Sequence, residues 1–176
     1  MRRWFTLVGI LGICLCGVIF AIVLFPTFRR ERLGIKLFYA AADGDLDKTR
    51  LLVKRGAPIN YANSRMFEET PLIMAIHALN FDIVRFLVES GADVNEAEAH
   101  GMTPLMECTY SGNDSIEIVG FLLAHGARLD IKDKSGMTIF DYLVRQPDKV
   151  QLFEVINTEQ NRRLAAPSSS STNSTK

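Results

Sequence analysis

Three Gly-Ala pairs stand at Gly56-Ala57, Gly91-Ala92 and Gly126-Ala127, each 35 residues from the next. Three Thr-led triplets interleave with them: Thr70-Pro71-Leu72, Thr103-Pro104-Leu105 and Thr138-Ile139-Phe140, spaced 33 and 35 apart. Self-similarity at this period means that one small supersecondary unit is copied along the chain. Such a unit buries too little alone, and only stacking makes a continuous core, so at least three copies are required.

The stretch Thr70 to Asn95 shows what one unit does. Thr70 accepts from a free N–H as a helix cap, and Pro71 suits the first helical position, where no intrahelical bond is lost. Leu72, Ala75 and Ile76 then form an apolar stripe at i, i+3, i+4. A turn at Ala78–Asn80 leads to a second helix carrying Ile83, Val84, Phe86, Leu87 and Val88. Gly91 ends that helix with φ > 0, and Asp93-Val94-Asn95 opens a β-turn finger to the next unit.

The other units align on these marks. The first, Ile35 to Asn60, carries Leu37, Ala40 and Ala41, then Leu46, Leu51, Leu52 and Val53. The third, Thr103 to Asp130, carries Leu105 and Cys108, then Ile118, Val119, Phe121, Leu122 and Leu123. The fourth carries Phe140, Leu143 and Val144, then Val150, Leu152, Phe153, Val155 and Ile156. Gly56 to Thr70 is two residues longer than Gly91 to Thr103, so the first finger is lengthened and carries Arg65, Met66 and Phe67. Repeat three has two extra residues in its inter-helix turn, near Gly112–Ser115.

At the Thr-Pro-Leu starts and Gly-Ala endings the chain resembles the ankyrin repeat family over about residues 33–157. The resemblance implies an all-α solenoid of about four helix-turn-helix units with β-turn fingers. It also implies a concave surface of fingers and inner helices that holds another protein.

Trp4 to Phe25 is a run of 22 residues without a charge. As a helix it spans about 33 Å against a hydrocarbon core of about 30 Å. Arg2 and Arg3 flank one end; Arg29, Arg30 and Arg32 flank the other. The run exceeds the ~7–15 residues of a signal peptide's apolar region, and no small-residue cleavage site follows. The expected organisation is a short tail (1–3), a transmembrane anchor (4–25), a basic juxtamembrane linker (26–34), the repeat domain (35–157) and a disordered polar tail (158–176). The expected location is a cell membrane, single-pass, with a lean toward a cytoplasmic repeat domain. The compactness of the chain suggests a bacterial source.

Charge is segregated. Residues 1–36 carry six bases and one acid, 37–160 eleven bases and nineteen acids, and 161–176 three bases. An acidic repeat domain argues against nucleic acid, because phosphates demand clustered Lys and Arg. No nucleophile–base pair, zinc-ligand spacing or phosphate-cradling loop is present, so neither catalysis, cofactor, metal nor small-molecule substrate is expected. His77, His100 and His125 read as partly exposed polar positions, and Cys108 as a small buried residue. Asp141 and Glu107 read as solvated. Met66 and Phe67 have no core of their own; they fold back onto repeat two or meet a partner. With Arg65, and Tyr110 beside the repeat-three turn, they are the candidate partner contacts. The leading function is a membrane-anchored module holding a protein partner; the alternative is an inhibitor or immunity-type protein masking a basic enzyme.

Overall fold

The computed structural model describes residues 25–111 and 115–165. They form eight helices: α1 (Phe25–Ala42), α2 (Leu46–Lys54), α3 (Pro71–His77), α4 (Phe81–Glu89), α5 (Pro104–Ser111), α6 (Ile116–Ala124), α7 (Ile139–Val144) and α8 (Val150–Ala165). α1, α3, α5 and α7 pack in sequence as an inner row, and α2, α4, α6 and α8 as an outer row. Between the rows lies one continuous core, with Leu37, Ala40, Leu72, Ala75, Ile76, Leu105, Cys108 and Leu143 from the inner helices. Leu52, Ile83, Val84, Leu87, Val119, Leu122, Leu152 and Ile156 come from the outer helices.

Local chemistry sets the ends of these helices. Thr70 Oγ1 accepts from Ile73 N–H at 3.3 Å and Thr103 Oγ1 from Met106 N–H at 3.3 Å. Asp45 caps α2 and Asn80 caps α4 in the same way. Each Gly-Ala pair is a helix stop. Gly91 has φ 96°, and this lets Ala92 N–H reach back to Leu87 C=O at 2.9 Å. Ala57 and Ala127 make the same bond to Leu52 and Leu122. The 35-residue period is therefore a repeated helix-stop geometry.

Several expected core positions lie outside the core. Leu51, Val144, Val150 and Phe153 are exposed. α7 has only six residues, and its stripe is Ile139 and Leu143, which are four apart; Val144 points away. Helix α1 begins at Phe25, so residues 26–34, expected as a linker, are helical and continuous with the first inner helix. Residues 158–165, expected as disordered tail, instead continue α8. There Arg163 donates to Ala127 C=O at 2.8 Å and Leu123 C=O at 3.0 Å. These carbonyls lie at and just beyond the end of α6, where intrahelical donors run out and a cation is favoured.

Among the described residues no helix is long and apolar enough to cross a membrane. The expected anchor, apart from Phe25, lies outside the described residues, as do 112–114 of the lengthened turn.

Candidate functional site

The three fingers are built on one plan. Asn63, Glu98 and Asp133 stand 35 apart and each is buried. Glu98 Oε1 accepts from His100 N–H at 2.8 Å and Met102 N–H at 3.1 Å, and Oε2 meets His100 Nδ1 at 2.8 Å. Asp133 Oδ1 accepts from Ser135 N–H at 2.9 Å and Met137 N–H at 2.8 Å, while Oδ2 takes the Tyr142 hydroxyl at 2.6 Å. Burial works against the Asp133 carboxylate, but these three donors hold its pKa below the usual value. Burial and the bond to Asp133 push the Tyr142 phenol up. Asn63 Oδ1 accepts from Arg65 N–H at 3.1 Å.

Successive fingers are joined by backbone rungs. Ala99 N–H donates to Phe67 C=O at 2.6 Å, and Lys134 N–H to His100 C=O at 2.8 Å. Phe67 and His100 thus hold equivalent places. The two extra residues of the first finger are taken up between Asn63 and Phe67, inside a loop closed by an antiparallel bridge from Asn63 to Glu69. The loop carries backbone strain. Phe67 has φ 49° and Glu68 φ 60°, and the place of Glu68 is taken in the other fingers by Gly101 (φ 86°) and Gly136 (φ 78°).

The expected contact residues are brought together only in part. Phe67 is 63% exposed and lies against the His100 ring, centroids 5.3 Å apart. Met66 beside it is 40% exposed. The pair therefore does not fold back into the core of repeat two. Arg65 is exposed on the same loop. Tyr110, 61% exposed, belongs to the inner face of repeats three and four: its ring lies 6.4 Å from that of Tyr142, and its hydroxyl lies 3.9 Å from Met102 Sδ. Met102 and His100 share the Glu98 turn, so Phe67, His100, Met102, Tyr110 and Tyr142 form a strip across three successive repeats.

Beside this strip lies a polar junction the sequence did not disclose. His77 Nε2 meets Glu107 Oε2 at 3.0 Å, linking repeats two and three, and Glu107 is buried rather than solvated. The bond to Glu107 raises the His77 pKa; burial opposes it, and the charges of Glu107 and Glu69 add to it. Burial raises the Glu69 pKa, with Glu107 and Glu98 contributing in the same direction. The charge of His77 opposes this rise. Asp141 is not free either: Oδ2 accepts from Thr138 N–H at 2.7 Å and Thr138 Oγ1 at 2.7 Å. Cys108 is fully buried, burial pushes its thiol up, and its Sγ donates to Pro104 C=O at 3.3 Å. A separate groove of about 510 Å³ between α6 and α8 contains none of the expected contact residues.

Comparison with known proteins agrees with this architecture. The model for ankyrin repeats, in three copies, matches residues 37–133, more than half of the chain. Among curated relatives, an ankyrin repeat and SAM domain-containing protein 6 of Mus musculus is 38% identical over 149 residues, 81% of this chain and 16% of the relative. The Rattus norvegicus protein of the same name is 43% identical over 82 residues, 45% of this chain and 9% of the relative. A transient receptor potential cation channel subfamily A member 1 homolog of Caenorhabditis elegans is 30% identical over 131 residues, 74% of this chain and 10% of the relative. The chain spans less than a fifth of each relative's length. All three are animal proteins, and the bacterial source suggested by the sequence draws no support from them. Repeat period, helix-stop geometry, finger plan and matched model coincide: the chain belongs to the ankyrin repeat family, whose stacks are protein–protein interaction modules.

Proposed function

We propose that this chain holds a protein partner at a membrane surface, gripping it with the strip that runs from Phe67 to Tyr142. The observation that carries the reading is the exposed, strained finger tip. Phe67 keeps a left-handed backbone and a largely exposed ring, a combination that folding alone does not favour. Rigid aromatic anchors are what interaction hot spots are made of. The acidic balance of the repeat domain, nineteen acids against eleven bases over residues 37–160, suits a partner that presents basic side chains. Confinement to the membrane comes from the uncharged run at 4–25 and raises the local concentration of the pair.

The test is to replace Met66 and Phe67 by Ser in the full chain. Partner capture weakens, while folding stability moves by no more than about 0.5 kcal/mol, as for surface changes generally. A large loss of stability with capture retained would remove the finger tip from the binding site.

A further inference from the structure

The first turns of α1 stand away from the stack, with residues 28–32 all exposed. The packed side of this helix is identifiable. A Cβ at Gly34 would lie 2.4 Å from Tyr61 Cδ2 and 3.0 Å from Pro58 Cγ, so Gly34 is pressed against the first finger. Glu31 lies close enough to act on the Tyr61 phenol. At 100° per residue, Arg29, Arg32 and Lys36 fall within about 60° of one another, on the opposite side from Glu31. With Phe28 and Leu33 they line an open depression of about 330 Å³. Phe28 is 56% exposed. Among the described residues none of Arg29, Arg30, Arg32 and Lys36 has an ion-pair partner.

We infer that this face of α1, formed by Phe28, Arg29, Arg32, Leu33 and Lys36, lies on a surface of anionic phospholipid. The inference rests on the membrane reading above and adds to it a lipid class and a fixed attitude of the stack. The uncharged run ends at Phe25, one turn before Arg29, so these cations meet the headgroup layer before any other part of the repeat domain. Lys and Arg side chains near an anionic leaflet are drawn to it, and the exposed Phe28 offers apolar contact at the acyl boundary, while Leu33 packs back against the repeat core. Because Gly34 and Tyr61 tie the same helix to the first finger, lipid contact here holds the stack at one angle to the membrane.

The test uses the full chain with Trp4→Phe and Phe28→Trp, reconstituted in vesicles of phosphatidylcholine alone or with phosphatidylserine. Flotation reports the anchor; acrylamide quenching of the tryptophan at position 28 reports the face. The expected result is flotation with both vesicles and a quenching constant about two-fold lower on the anionic ones. That difference vanishes at high salt and in the R29A/R32A/K36A variant. Equal quenching on both vesicles, with flotation intact, overturns the lipid inference and leaves the anchor standing. Failure to float with either overturns the anchor and the inference with it. Shielding by soluble polyglutamate but not by anionic vesicles would assign the face to an acidic polypeptide and overturn the proposal.

Discussion

Replacing Glu98 by Ala tests the construction of the fingers. The side chain is 4% exposed and its carboxylate accepts from two backbone N–H groups, those of His100 and Met102, besides the His100 ring. His100 is exposed, so its N–H and ring find water when the carboxylate is gone. Met102 is 8% exposed, and its N–H is left without an acceptor. A buried donor stranded in this way costs about 1–3 kcal/mol, and loss of a charge-assisted bond to His100 adds about 1 more, so a loss of about 2–4 kcal/mol is expected. Glu98→Gln keeps one carbonyl oxygen for both N–H groups and should lose about 1 kcal/mol. The neighbouring Glu96 is exposed, and Glu96→Ala should move stability by less than about 0.5 kcal/mol. Denaturant unfolding of the full chain in mild detergent measures all three. Hydrogen exchange at the Met102 amide shows whether the damage is local to the turn. A Glu98→Ala loss no larger than that of Glu96→Ala would refute the reasoning.

The His77–Glu107 junction should make stability depend on pH: the raised His77 pKa contributes stability that is complete below about 6.5, the unfolded value, and is lost as pH rises through the folded one. His77→Gln should flatten the unfolding midpoint across that range, leaving the separate effect of Glu69 in the carboxylate range. Glu68→Gly places glycine where the other fingers have it and should raise stability by about 0.5–1 kcal/mol, read as a higher midpoint. Arg163→Ala removes two bonds to carbonyls at the end of α6 and should cost about 1–2 kcal/mol. Arg163→Lys keeps the charge but not the fork, and should recover only part of this loss.

What the sequence disclosed was mostly local. Thr70 capping α3 and the stop at Gly91 follow from short-range chemistry repeated at a fixed offset, so the unit could be read directly. Buried acids were missed because an isolated Glu is solvated by default; Glu98 and Glu107 are buried only because a neighbouring turn or helix brings donors to them. A signal was present: Asn63, Glu98 and Asp133 share the 35-residue offset of the Gly-Ala pairs. Counting located the lengthened finger, but not the left-handed backbone at Phe67 and Glu68, nor the Phe67–Ala99 rung to the next repeat, which is a tertiary contact. Residues 158–165 look like the start of a polar tail because the donors of Arg163 are used some 40 residues away in sequence, on α6. In α7 the apolar residues Ile139, Phe140, Leu143 and Val144 allow two stripes, and only the packing selects Ile139 with Leu143.

On the proposed reading the partner sits on the strip from Phe67 to Tyr142. Photo-crosslinking in the living cell tests it most directly, with a crosslinking amino acid placed at position 67, at position 110, or at position 85 on the outer helix α4. Positions 67 and 110 are expected to capture the same protein, and position 85 none of it. Capture of that protein from position 85, with none from 67 or 110, would contradict the reading.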